Sequence, residues 1–135
     1  MQPYVIKGLQ NFIESMGKEG CYFLSLCKLF SAKDIITTAL ECNKRGYLFY
    51  NWKDPDDKLN FNVDNPEGII EYITGKKCRV TKHYAGVPVE KYYVEKWYNS
   101  RTGFSHFRLR DWDPLLNSVT VKEGKIKSWR VIKIL

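Results

Sequence analysis

Gly20-Cys21 opens the apolar run Cys21-Tyr22-Phe23-Leu24-Ser25-Leu26-Cys27-Lys28-Leu29-Phe30. A cysteine in the first turn of a buried helix sets its sulfur against backbone N–H groups that have no partner within the helix. The helix dipole there favours a thiolate, so Cys21 is expected to be more acidic and more nucleophilic than a free cysteine. The competing reading is a packed core thiol. Cys27, Cys42 and Cys78 have no such help and read as small buried hydrophobes.

A thiolate nucleophile needs a base or proton donor within hydrogen-bond reach. The chain has two histidines. His106 lies in Gly103-Phe104-Ser105-His106-Phe107-Arg108-Leu109, an aromatic-flanked strand pattern entered through a glycine. Strand alternation puts Phe107 and Leu109 on one face and His106 and Arg108 on the other. His83 stands among lysines and reads as a surface residue. An acceptor must then hold the imidazole in the right tautomer. Asp111 and Asp113 both follow closely, in Asp111-Trp112-Asp113-Pro114, and either also reads as a strand-end turn residue.

The bulk composition fits one folded unit, residues 1–135. The 44% hydrophobic and 15% aromatic content excludes a disordered chain. No apolar run approaches the roughly 18–20 residues that span a bilayer, so no membrane role is expected. The opening Met-Gln-Pro-Tyr-Val-Ile-Lys lacks the features of a signal peptide, which predicts a cytoplasmic protein with reduced cysteines. Cys-x-x-Cys pairs are absent and the histidines lack zinc spacing, so neither metal nor cofactor is expected. The net charge of +7 is uneven: residues 1–75 carry 8 Lys/Arg against 10 Asp/Glu, and residues 76–135 carry 14 against 5. A basic half attracts acidic partners or simply forms a solvated face.

The elements that must position these residues divide the same way. Pro3 suits a first helical turn, and Ile6, Leu9, Ile13 and Met16 follow at helical spacing until Gly17. The Cys21 run is apolar on nearly every side, as in an enclosed helix. Ser31 and Asp34 start another helix, expected to bury Ile35, Ile36, Ala39 and Leu40 and to end near Gly46. Lys53-Asp54-Pro55-Asp56-Asp57 reads as a surface loop. Asp64-Asn65-Pro66-Glu67 supplies a cap and a first-turn proline for a short helix through Ile69, Ile70 and Ile73, closed by Gly75. Beyond it the period falls to two, giving strands at residues 77–84, 91–98, 104–110, 118–122 and 126–134, the last two joined by a hairpin at Glu123-Gly124-Lys125. Helices first (about 1–75) and strands later (about 76–135) predict an α+β fold with N-terminal helices packed on a C-terminal antiparallel sheet.

Gly-Cys heading an apolar helix, then Ser-His-Phe and Asp-Pro on later strands, resembles the papain-like cysteine peptidase superfamily. It is closest to bacteriocin-processing (double-glycine) peptidases and small phage-encoded relatives, whose closing hairpin is similar to residues 112–126. The specific motifs cover about residues 17–30 and 103–134. The resemblance implies Cys21 as nucleophile, His106 as general base and acid, and Asp113 as orienting carboxylate. It also implies Gln10 as an oxyanion donor beside the Cys21 backbone N–H. Gln10 lies further upstream than the family spacing, where Ser15 stands instead, and Tyr22-Phe23 replaces the small residues usual after the nucleophile. The implied activity is that of a peptidase or amidase on a peptide or cell-wall-derived substrate, with Arg108 and Arg110 forming a basic rim for acidic groups.

Two other functions fit the same residues. One is a papain-like fold without catalysis, holding a ligand in its cleft. The other is nucleic-acid binding, with Tyr92, Tyr93, Trp97, Tyr98 and Trp112 as stacking platforms among Lys91, Lys96, Arg101 and Arg110. No RNA-recognition, helix-turn-helix or zinc-finger signature accompanies them.

Overall fold

The computed structural model describes residues 3–56, 60–115 and 119–135. Helix α1 (Pro3–Glu19) runs through Gly17, and Gly20 alone separates it from α2 (Cys21–Leu29). The Gly20 N–H donates to the Met16 carbonyl at 2.9 Å, while its own carbonyl accepts from Leu24 at 2.8 Å. A Cβ at Gly20 would collide with the Met16 carbonyl oxygen, so only glycine fits this elbow. The face that α1 buries is Phe12, Ser15 and Met16, whereas Ile6 and Ile13 are exposed.

Helix α3 (Ile35–Lys44) starts at Asp34, whose carboxylate accepts from the Thr37 N–H at 3.0 Å. The expectation for its buried face was wrong in part. Ala39 is buried with Thr38 and Cys42, but Ile35, Ile36 and Leu40 are exposed. After it, β1 (Leu48–Tyr50) and β2 (Phe61–Val63) form an antiparallel ribbon that sequence patterning did not reveal. The segment between them is an exposed loop as far as Asp56, and Asp57 lies outside the described residues. Helix α4 (Pro66–Thr74) follows, its N-terminus capped by Asn65, which accepts from Gly68 N–H at 2.9 Å. Gly75, at φ +73°, ends it in a left-handed turn that glycine adopts without strain.

The sheet half contains β3 (Cys78–His83), β4 (Tyr92–Asn99), β5 (Phe104–Arg108) and β6 (Lys125–Ile134), all antiparallel, in the order β3-β6-β4-β5. The chain is thus α+β, with helices in its N-terminal part and an antiparallel sheet in its C-terminal part. Residues 119–123 are helix α5 (Val119–Glu123) and not the expected strand, so no hairpin forms at Gly124. Tertiary contacts override the β-branched pattern there: Glu123 accepts from Arg101 at 2.7 Å and Asn99 at 3.4 Å. Residues 116–118 of the quoted tail lie outside the described residues.

One apolar core joins the two halves. Phe12, Phe23, Leu26, Ile69 and Ile70 from the helices meet Val94 and Ile132 from the sheet. Among the described residues, no helix is long and apolar enough to cross a membrane.

Candidate active site

Cys21 occupies the first helical position of α2 because the glycine elbow turns the chain there. Strand β5 is an edge strand, so alternate N–H groups along it have no strand partner. One of these, from Phe107, donates to Cys21 Sγ at 3.4 Å. The peptide unit linking residues 106 and 107 then puts Sγ within about 6 Å of the His106 Cα, from covalent dimensions alone. Stacking of Tyr22 on Phe107, with ring centroids 4.3 Å apart and planes at 11°, locks α2 to β5 at this point. Tyr22 therefore fills the junction between helix and sheet, a partnership that residue order alone does not reveal.

His106 is buried, with 3% of its surface exposed. Its Nε2 lies 2.6 Å from Asp113 Oδ1. An ionised carboxylate only accepts, so Nε2 carries the proton and a neutral ring leaves Nδ1 as its basic atom. The short interval between the two residues is bridged by a tight reversal. Leu109 N–H donates to the Trp112 carbonyl at 2.8 Å and Trp112 N–H returns the bond at 3.3 Å, which brings Asp113 back beside β5. Asp113 Oδ1 also accepts from the Leu115 N–H at 2.8 Å, which fixes its orientation. Asp111 is exposed, and of the two carboxylates it is Asp113 that meets the imidazole.

His83 packs against Trp129, 5.9 Å between ring centroids, and is not on the cleft wall. Cys27, Cys42 and Cys78 are buried and free. Burial pushes their thiols up to about 12, about 11 and about 11 respectively, so they are inert at neutral pH. Among the described residues no three His, Cys, Asp or Glu side chains gather as a metal site.

Two expectations are corrected. Gln10, eleven positions before Cys21, is on the exposed face of α1 and does not line the cleft. Ser15, the other candidate, is buried and also absent from that wall. The Cys21 backbone N–H, the other donor expected, lies at the first position of α2. The Cys21 thiol itself is raised, not lowered. Burial is the largest cause; hydrogen bonds from the backbone N–H groups of Phe107, Tyr22 and Cys21 oppose it, and the Asp113 charge adds to the rise. The helix terminus acts in the expected direction but loses to desolvation.

Cys21 and His106 open on one cleft of about 1510 Å³. Its walls come from the α1–α2 elbow (Lys18 to Phe23), β2 with Asp64 and Pro66, strand β3 from Val80 to Lys82, the turn and strand from Gly103 to Phe107, and Leu115, Thr120, Lys96 and Arg130. The expected basic rim is elsewhere. Arg108 donates to the carbonyls of Leu109 and Arg110, each at 2.9 Å, and approaches Glu95 at 3.7 Å, so it clamps the reversal instead of facing the cleft. The aromatic residues of β4 split between sheet faces: Tyr92 packs on Phe30 at 5.1 Å, and Trp97 Nε1 donates to Glu95 at 2.9 Å.

No family model, no curated protein and no solved structure matches the chain.

Proposed function

We propose that this protein is a thiol-dependent peptidase or amidase with a papain-like arrangement of Cys21, His106 and Asp113. The observation that supports it best is the 2.6 Å Asp113–His106 bond, set beside a helix-terminal thiol that accepts from the very next residue of the histidine strand. Burial keeps the resting thiol protonated, so the pair acts by general base catalysis and not through a standing thiolate. His106 Nδ1 takes the thiol proton as sulfur attacks the amide carbonyl carbon. The Cys21 backbone N–H stabilises the oxyanion, and the imidazolium is held by Asp113. The ring then protonates the leaving nitrogen, which departs as an amine and leaves a thioester on Cys21. Water, deprotonated by the same ring, attacks the thioester, releasing the acid and restoring the thiol.

The second reading is a cleft of the same shape that binds without cleaving, favoured by the net rise of the Cys21 thiol and by the position of Gln10 outside the cleft. Hydrolysis of a mixed fluorogenic peptide library decides between them. Turnover that disappears in both Cys21→Ala and His106→Ala supports the enzyme. Turnover that survives in Cys21→Ala, or its absence from the wild-type chain, refutes it.

A further inference from the structure

We propose that the cleft contains a carboxylate-binding subsite formed by Lys82, Lys96 and Arg130, so that its ligand is a peptide with an acidic side chain near the bond held at Cys21. Only the position of that bond rests on the hydrolase reading; the subsite itself does not. Register places the three cations together. Lys82 pairs with Arg130 across β3 and β6, and Lys96 pairs with Ser128, two residues from Arg130, across β4 and β6. Alternation then puts all three side chains on the sheet face that also carries Phe107. The Lys96 ammonium and the Arg130 guanidinium stand 5.7 and 5.6 Å from the Phe107 ring centroid.

The charge state of this cluster calls for an anion. Arg130 is only 8% exposed, yet it donates to neutral acceptors: Ser128 Oγ at 3.0 Å and the Trp129 carbonyl at 3.4 Å. Among the described residues, no carboxylate forms an ion pair with Lys82, Lys96 or Arg130. Burial, and after it the positive charges of Arg130, Lys127 and Lys82, push the Lys96 ammonium downward. The carboxylates on the cleft wall, Glu19 and Asp64, belong to its helical side, where Glu19 accepts from the Asn60 N–H at 3.1 Å. A buried, unneutralised guanidinium is costly, and a planar carboxylate matches its fork while the two ammonium groups add point charge. Apolar walls at Phe61, Val63 and Val80 favour a peptide segment with aliphatic stem over a phosphate chain lying on an open surface. From Cys21 Sγ through Phe107 to the cations is about 15 Å at most, so the acidic residue lies within about four extended residues of the scissile bond.

Fluorescein-labelled pentapeptides, identical except for one Glu or Gln moved through each position, test this by anisotropy with the full chain. At one position or more, the Glu peptide is expected to bind about tenfold tighter, a difference of about 1.4 kcal/mol. The preference should vanish in Lys82→Gln/Lys96→Gln, whose replacements sit on exposed and half-buried sites, and shrink in about 0.5 M salt. Equal affinities, binding of neither peptide, or tighter binding of a single-stranded oligonucleotide would each overturn the subsite. The hydrolase reading fails separately: a Glu preference shared by wild type and Cys21→Ala, with no turnover, leaves the subsite standing and removes the enzyme. Turnover with equal KM for Glu and Gln peptides does the reverse.

Discussion

Replacing Asp113 offers the sharpest test of the site, because on the proposed mechanism its carboxylate supports the imidazolium, while its direct charge effect on Cys21, the last of the causes acting on that thiol, runs the opposite way. The 2.6 Å contact is a hydrogen bond that, on the proposed mechanism, becomes an ion pair once the ring takes the thiol proton. Hydrogen bonds to charged groups contribute about 1.5–3 kcal/mol. Losing that support for the thiolate–imidazolium pair slows sulfur attack by roughly ten- to two-hundredfold, at about 1.4 kcal/mol per factor of ten. The assay is the rate of iodoacetamide alkylation of each cysteine near neutral pH, read by peptide mass spectrometry. Cys27, Cys42 and Cys78 serve as internal standards. With thiols pushed up to about 12, 11 and 11, they are ionised to no more than about one part in ten thousand at neutral pH. Cys21 should label fastest in the wild type, and Asp113→Ala should slow it by the stated factor without changing the other three. Asp113→Asn retains an oxygen for the Leu115 N–H, now held at 2.8 Å, and should fall between the two. If Asp113→Ala and His106→Ala both label Cys21 within twofold of wild type, no base assists this sulfur and the reasoning fails.

Three further outcomes follow from the same geometry. Gly20→Ala would drive a Cβ into the Met16 carbonyl, so the elbow opens; a lower urea midpoint together with lost Cys21 selectivity is expected, and a wild-type midpoint would refute the clash. The Tyr22 hydroxyl is buried without a hydrogen-bond partner, so Tyr22→Phe keeps the stack on Phe107 and should hold or raise stability by up to about 1 kcal/mol; a loss larger than that would reveal a partner. Cys27 is pushed from 9.0 up to about 12 on folding, which means the unfolded chain loses this proton first as pH rises. Its contribution is whole below about pH 9 and has fallen by about 1.4 kcal/mol at about pH 10; urea midpoints that do not decline over this interval would contradict it.

Much of the architecture could be read from residue order, and the failures have physical causes. Asp34, Asn65-Pro66 and Gly75 mark helix ends through local hydrogen bonding and backbone conformation, which need no tertiary partner. The strand segments were recognisable from their β-branched and aromatic residues, although the inner strand β6 is buried at every position from Ser128 to Ile132 and so shows no alternation of burial. The ribbon of Leu48–Tyr50 and Phe61–Val63 escaped notice because three residues are too few to establish a period. The helix at Val119–Glu123 reversed its β-branched pattern because Arg101 and Asn99 hold Glu123. In the site, Cys21 and His106 were legible from their immediate neighbours, and Asp113 as one of two candidates. The Phe107 N–H, the Tyr22 stack and the Lys82–Lys96–Arg130 group were not, since each exists only through pairing across strands or between layers. The acidified thiol failed for a related reason: a dipole is local, whereas desolvation depends on everything packed around the sulfur.

The position of β6 decides when any of this can come into being. Residues 125–134 form the strand that lies between β3 and β4, although both of those precede it by at least 26 residues. Until it inserts, the nascent sheet is two fragments with sticky margins, and Arg130 has not yet reached the lysines it joins. The β4–β5 pair that carries His106 needs no part of β6, whereas joining β3 to β4 requires this last strand, a closure whose long sequence separations make it slow. A ribosome still short of residue 125 carries a latent molecule: Cys21, His106 and Asp113 have been synthesised, and the strand that completes the sheet and brings Arg130 to the cleft has not.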